Sequence, residues 1–337
     1  MINQVYQLIS PKVFSVKYDD LSFADKVIIR PEYMAICHAD QRYYLGQRDV
    51  QTLHKKLPMA LIHECCGRVV YDPSGAFRPG QPVVMIPNVP AGDSFPICEN
   101  YARGSRFLSS GHDGFMQEFV AINADRVVPY RNIEPSIAAI TEFVSVAVHA
   151  ATRFGNASHE IRSRIGIWGD GSLAYVVANV LRNMYPKSEI VVIGRDYRKL
   201  AQFSFVREVH HSSEIPENFE VDHAFECCGG EGSYYAIQDV IRYINPQGTL
   251  MLMGVSENQV AINTRMVLEK GLTLVGCSRS GRADFEAAVE LMSNQSFQKR
   301  LKMIIFEDTP VRSVGDIHRV FHSDLSTPFK TVFKWEM

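Results

Sequence analysis

A chain of 337 residues exceeds the usual reach of one hydrophobic core, so two domains are expected. With 46% hydrophobic and 21% charged residues it has the make-up of an ordinary globular protein, which excludes a disordered or fibrous one. A formal net charge of −2, with Arg and Lys scattered rather than in runs, leaves no field to gather nucleic acid, and no apolar stretch approaches the roughly 20 residues of a membrane span.

The first 145 residues read as short β segments. They are Lys26–Arg30, Gly67–Tyr71, Pro82–Ile86, Phe115–Val120 and Arg126–Val128, punctuated by turns at Asp72-Pro-Ser-Gly75 and Arg78-Pro-Gly80. Near Pro135 the pattern changes, and Ser136–Phe154 is apolar at helical spacing. Strands at Ile165–Trp168, Glu189–Ile193, Val221–Phe225, Thr249–Met253 and Leu272–Val275 then alternate with helices at Ser172–Tyr185, Ser233–Ile244 and Asp284–Met292. Strand and helix in alternation with short turns predict an α/β doubly wound parallel sheet. Lys330–Lys334 reads as a strand returning to the first domain. The predicted division is a mostly β domain at 1–145, completed by 285–337, and a nucleotide-binding domain at 146–284.

The start, Met1-Ile-Asn-Gln4, lacks the charged and apolar regions of a signal peptide. Seven cysteines, two pairs of them adjacent (Cys65-Cys66 and Cys227-Cys228), make poor disulfide architecture and suit a reducing compartment. A cytoplasmic protein is expected.

Ile165-Gly-Ile-Trp168 runs into Gly169-Asp-Gly-Ser-Leu-Ala174, a G-x-G-x-x-A turn between a predicted strand and a predicted helix. Gly169 permits the tight turn, Gly171 the close approach of a pyrophosphate, and Ala174 the helix–strand contact, while Ser172 and Leu173 open a helix whose free N–H groups face the phosphates. Alone such a turn is weak evidence; within a βαβ unit it predicts a bound dinucleotide. NAD enzymes end the second strand with Asp or Glu, which holds the ribose 2′-hydroxyl. This strand ends Ile193-Gly194-Arg195, with Arg198 and Lys199 following. Gly194 makes room for a 2′-phosphate and Arg195 pairs with it, so NADP is favoured over NAD. Asp196 next door softens the preference, and a solvated helix start is the plainer explanation of these basic residues.

Cys37, the His63-Glu64 pair and Glu142 are spaced like the ligands of a catalytic zinc. Taken singly each has a duller reading: a small buried thiol, a structural histidine, a Glu that suits a helix dipole. Together, ahead of a dinucleotide fold, they predict a metal site in which Asp40 orients one of the ligands.

At these residues the chain resembles the zinc-dependent medium-chain dehydrogenases over essentially its whole length. Cys37 with Asp40, His63-Glu-Cys-Cys-Gly67, Gly111-His-Asp-Gly-Phe-Met-Gln-Glu-Phe-Val120, Glu142-Phe-Val-Ser-Val-Ala-Val-His149 and the Gly169-Asp-Gly171 turn carry the resemblance. It implies a GroES-like catalytic domain beside the Rossmann domain. Glu142, where alcohol dehydrogenases carry Cys, is similar to the polyol branch. There the second residue of the His-Glu pair also approaches the metal, so Cys37, His63, Glu64 and Glu142 are the implied ligands. Further stretches, among them Asp40-Gln-Arg-Tyr-Tyr44, Asp222-His-Ala-Phe-Glu-Cys227 and Ser278-Arg-Ser-Gly281, resemble the ribulose-5-phosphate reductases. These use NADPH to make ribitol 5-phosphate for CDP-ribitol and teichoic-acid or capsule synthesis. A zinc polyol dehydrogenase acting on an unphosphorylated sugar alcohol is the rival, and a non-catalytic NADPH sensor a more distant one.

Three departures from the family pattern stand out. The glycine before His-Glu is Ile62. The proton-relaying hydroxyl two residues after the cysteine is Ala39, so the proton travels another way, with Glu64 or Tyr43 as intermediaries. Of the four cysteines that hold a structural zinc, residues 88–111 keep only Cys98. One catalytic zinc per chain, no structural zinc and a lobe stabilised by packing are therefore implied. The resemblance further implies that zinc polarises the C2 carbonyl of ribulose 5-phosphate while NADPH delivers hydride. Arg42, Arg48 and Arg279 are candidates for the substrate phosphate. Relatives form dimers or tetramers through an edge strand, for which Leu250–Val255 or Leu272–Cys277 would serve, and a cytidylyltransferase is a possible partner.

Overall fold

A computed structural model describes residues 1–92 and 97–337. The chain divides into two compact units, Met1–Ser145 with Ser280–Met337, and Val146–Arg279. The chain therefore returns to the first unit at Ser280, five residues ahead of the boundary read from sequence. Among the described residues no helix is long and apolar enough to cross a membrane.

The first unit is mostly β. Its main sheet orders the strands Val127–Pro129, Pro82–Met85, Glu64–Tyr71, Val27–Ala35, Lys330–Trp335 and Ile305–Val311, with Val120–Ile122 also paired to Val27–Ala35. A hairpin of Ile2–Ser10 and Val13–Asp20, with Met59–Ala60, makes a smaller sheet. Between the sheets lies a core in which Leu8, Ile29, Met34, Leu61, Phe115 and Phe333 are wholly enclosed. The last strand lies antiparallel to Val27–Ala35 and parallel to Ile305–Val311, so the C-terminal segment is an interior member of the first unit's sheet.

Two predicted elements differ here. Phe115–Val120 is not a strand, because the amides of Gly114, Phe115 and Met116 bond singly to the carbonyls of Ala60, Ile62 and Leu61, and regular pairing begins only at Val120. The apolar run from Ser136 is two helices, Pro135–Ala138 and Thr141–Ala157. The Thr141 hydroxyl donates to the Ala138 carbonyl at 2.7 Å, closing the first helix and placing Glu142 in the first turn of the second.

In the second unit six parallel strands lie in the order Glu208–His211, Glu189–Gly194, Arg164–Trp168, His223–Glu226, Thr249–Leu252 and Thr273–Gly276. This is the doubly wound Rossmann order, whose reversal point lies at the carboxyl end of the first strand. Ile165, Ile167, Val191, Val192, Phe225 and Leu250 are fully buried, as a sheet covered on both faces requires. Thr249–Leu252 is interior to this sheet, so Leu250–Val255 does not offer an edge strand; the edges are Thr273–Gly276 and Glu208–His211.

His223 links strand to loop. Its Nε2 lies 3.0 Å from the Ile161 carbonyl oxygen, and its Nδ1 accepts the Thr249 amide at 3.0 Å, which fixes the neutral tautomer. Burial, reinforced by the charges of His159 and Arg162, lowers its pKa from 6.5 to about 4. The unfolded chain therefore takes up this proton first, so the stabilisation is complete above about pH 6.5 and drains away as pH falls toward 4. Urea midpoints measured from pH 7 to 4 are expected to show this loss. In His223→Gln, which keeps a donor and an acceptor, that part of the slope flattens; an unchanged slope would assign it to other groups.

Candidate functional site

The register of the first unit's sheet assembles the site. Ala35 pairs with Glu64 and Val332 with Ala35, so the ends of three adjacent strands carry Cys37, His63-Glu64 and Lys330 to one place. Cys37 precedes the helix His38–Tyr44, and Glu142 comes from the helix Thr141–Ala157. The four expected ligands fall into two overlapping trios, Cys37–Asp40–His63, which includes the expected orienting residue Asp40, and His63–Glu64–Glu142; Cys37 and Glu142 share no trio. In each trio one ligand atom per residue lies within 4.8 Å of the others, and His63 is shared.

Asp40 is fully enclosed. Its Oδ2 accepts the Cys37 amide at 3.2 Å and lies 3.6 Å from His63 Nδ1, while its Oδ1 accepts the Ile62 amide at 3.0 Å and the Ser109 hydroxyl at 2.7 Å. Burial alone would raise its carboxyl, but the His63 charge and these hydrogen bonds hold it below the usual range. Burial likewise works against a charged His63, yet Asp40 and Cys37 raise its proton affinity well above that of an ordinary histidine. The cluster thus attracts a cation strongly, whether proton or metal.

Glu64 is 0% exposed and pairs through Oε1 with Lys330 Nζ at 2.6 Å. The same ammonium donates to the carbonyl of Ile36, beside Cys37, at 2.9 Å and stands 4.7 Å from the ring centre of Phe143, beside Glu142. One cation therefore touches all three ligand-bearing segments. Burial raises the Glu64 carboxyl, with Lys330 opposing, and burial, opposed by His63 and reinforced by Glu64, pushes Glu142 up to about 7.

The donor set fits a divalent metal of the zinc type: thiolate, imidazole and carboxylate are the groups such ions take. His63 Nδ1 and Glu64 Oε2 are buried without a hydrogen-bond partner, a costly state that a bound cation would relieve at the carboxylate. Elsewhere in this unit, the Cys98 region is tied by ions. Arg126 grips Glu99 in a two-point pair at 2.8 and 3.1 Å, and the Arg282 amide donates to the same carboxylate at 2.6 Å. Residues 93–96 of that lobe lie outside the described residues.

The second unit holds the glycine turn at the carboxyl end of Arg164–Trp168. Gly169 has φ +137°, and a Cβ there would press on the Cys227 carbonyl at 3.0 Å, so only glycine is comfortable. A Cβ at Gly171 would meet nothing within 4 Å, and no side chain caps the helix Ser172–Met184 that follows. Its first amides, those of Ser172 and Leu173, are therefore available to an anion. A cavity of about 300 Å³ opens beside the turn, lined by Gly169, Gly171, Gly194, Arg195 and Lys199 among others. A larger, shallower depression of about 660 Å³, lined by residues of the Gly75–Pro82 turn with Tyr130 and Arg131, holds none of the predicted residues.

Of the substrate candidates, Tyr43 is buried, and the Arg48 guanidinium stands 5.0 Å from its ring centre. Lys56 lies over the same ring at 5.8 Å and donates to Ser110 at 2.8 Å. Arg42, on the helix His38–Tyr44, has its proton affinity lowered by burial and then by the charge of Arg48. Arg279 is exposed at the end of the second unit in left-handed backbone, φ 59°. Sequence reasoning missed Lys330, Ser109, Lys56 and Asp170. For Lys330 a signal existed: three carboxylates and a thiol around one dication leave an excess of negative charge, which a buried site must offset.

Residues 24–132 match the alcohol dehydrogenase GroES-like domain, and residues 205–294 match the zinc-binding dehydrogenase domain. A ribulose-5-phosphate reductase of Streptococcus pneumoniae is 57% identical, the match covering 100% of this chain and 98% of that protein. The chain belongs to this family of zinc-binding dehydrogenases. Ribulose-5-phosphate reductase 1 of Staphylococcus aureus is 50% identical, with both chains covered in full. The crystal structure of S. aureus TarJ in complex with NADPH matches with a TM-score of 0.89 at 45% identity, again over 100% of both chains. As a member of this family the chain is an oxidoreductase.

The Glu64–Lys330 pair should behave as a buried ion pair whose breakage strands a charge. Lys330→Met is expected to lower the unfolding free energy by about 3–5 kcal/mol, and Lys330→Arg to recover much of it. Urea unfolding of both variants measures this; a wild-type midpoint for Lys330→Met would show that the ammonium is not needed to hold the acidic cluster.

Proposed function

We propose that this chain reduces D-ribulose 5-phosphate to D-ribitol 5-phosphate with NADPH, using one catalytic zinc. The observation that carries the reading is the pair of trios around His63, buried except for the half-buried Cys37, in a chain that matches ribulose-5-phosphate reductases from end to end. When bound, zinc supplies Lewis acidity to the substrate carbonyl and the reduced nicotinamide supplies hydride.

The roles of the chain's own residues follow. Cys37, His63 and Glu142, with Glu64 near at hand, hold the ion. Asp40 orients His63 and the Cys37 backbone, and Lys330 keeps Glu64 ionised and in place. Glu64 is engaged by Lys330 through Oε1 and keeps Oε2 for the site. Gly169, Gly171 and the amides of Ser172 and Leu173 cradle the pyrophosphate, while Arg195 and Lys199, which line the same cavity, hold a 2′-phosphate. Arg42 and Arg48, steadied against Tyr43, take the substrate phosphate together with Lys56; Arg279 is the further candidate. The same reading makes the enzyme cytoplasmic, a homodimer or homotetramer without a structural zinc, and assigns its product to CDP-ribitol synthesis through a cytidylyltransferase.

Following NADPH absorbance tests the reaction. Ribulose 5-phosphate should drive its oxidation, and a chelator should stop it. Cys37→Ala and His63→Ala should lose turnover and zinc yet still bind NADPH by fluorescence titration; turnover that survives loss of the metal would refute the role given to zinc. For the phosphate site, Arg48→Glu is expected to raise KM for ribulose 5-phosphate at least about tenfold, the equivalent of 1.4 kcal/mol, and to raise KM for free ribulose far less. Equal effects on both substrates would remove Arg48 from the phosphate site.

A further inference from the structure

At the end of Glu189–Gly194 a NAD enzyme would place its ribose-binding carboxylate at position 194. In this chain that space is already filled. A Cβ on Gly194 would stand 2.6 Å from the Cβ of Asp170, 2.8 Å from its Oδ2 and 2.9 Å from a methyl carbon of Leu200. None of these can yield cheaply. Leu200 is buried, and Asp170 is tied down: its Oδ2 accepts the amide of Arg195 at 2.6 Å and that of Asp196 at 2.8 Å. A carboxylate therefore does stand at this edge of the cavity, but it enters from the glycine turn, and its charge is engaged by two backbone amides.

The tie extends further. Asp196, whose amide Asp170 holds, accepts the amides of Arg198 and Lys199 at 2.8 and 3.3 Å. Asp170 thus anchors the first link of a short relay that sets the path of residues 194–199, and Asp170, Arg195 and Lys199 all line the same cavity. We propose that Asp170 is the specificity-determining residue of the cofactor site: it bars any side chain at position 194 and positions the segment bearing Arg195 and Lys199 for a 2′-phosphate. The proposal rests on the NADPH reading above.

Two consequences distinguish it from a simple account in which the residue at 194 alone sets the preference. Gly194→Asp by itself gains nothing, because the new side chain meets Asp170 both sterically and as a like charge. Removing Asp170 at the same time opens the place for it. The test uses the zinc-loaded wild-type enzyme, Gly194→Asp, Asp170→Gly and the double variant, each titrated with NADPH and NADH by fluorescence, with a thermal midpoint for each.

Gly194→Asp is expected to melt lower and to bind NADH no better than the wild type. The double variant should regain the midpoint and shift the NADH-to-NADPH affinity ratio at least about a hundredfold toward NADH. Asp170→Gly alone should weaken NADPH at least about tenfold with little change for NADH, because the segment that meets the 2′-phosphate loses its anchor. If Gly194→Asp alone changes selectivity as far as the double variant, or if Asp170→Gly binds NADPH like the wild type, the proposal is overturned. A wild-type enzyme that prefers NADH would instead remove the NADPH reading, and the midpoints would still judge the steric conflict between positions 170 and 194.

Discussion

The first unit is organised around a buried ammonium among carboxylates. Asp40, Glu64 and Glu142 are each less than a tenth exposed and crowd one histidine, with a cysteine beside Asp40. In a low-dielectric interior such a cluster needs compensating positive charge or bound protons. Lys330 supplies the resident part, contacting Glu64, the backbone beside Cys37 and the ring beside Glu142. Protons on His63 and Glu142, whose affinities are both raised, offset the remainder as a bound cation would. The returning strand Lys330–Trp335, interior to the sheet, brings this ammonium beside the ligand-bearing strands.

The same constraint bears on the backbone at Ile62. It lies in the left-handed region at φ 69°, where a β-branched residue is strained by roughly 1–3 kcal/mol. Three observations account for its persistence. The Ile62 amide donates to Asp40, its carbonyl accepts from Phe115 at 2.7 Å, and its side chain is wholly buried in the core. The glycine expected at this position from the family pattern would relieve the strain but contribute nothing to that core. The turn directs His63 and Glu64 into the site, so the strain is held where the ligands need an abrupt change of direction.

In the second unit the controlling feature is a close approach rather than a charge balance. The glycine turn is open at Gly171 and closed at Gly194, and Asp170 accounts for the difference. An element that reads in sequence as a variable position inside a motif is, in three dimensions, the neighbour of a residue 24 positions later. Its contacts could not be foreseen from the motif, because nothing in the local pattern says where the carboxylate turns.

The alternation of strands and helices after Pro135 was readable because parallel strands buried on both faces are continuous apolar runs. The ligand types and the glycine turn were readable as well, since metal chemistry and phosphate binding restrict which residues will serve. By itself the sequence determined the two-part architecture, the family and the residues that meet around His63. The tertiary structure alone decided that Thr273–Gly276 and not Thr249–Leu252 lies at an edge of the nucleotide sheet, that Lys330 pairs with Glu64, and that Asp170 occupies the space of a side chain at 194. These depend on register and on contacts between residues far apart in the chain, and neither periodicity nor spacing along one segment carries that information.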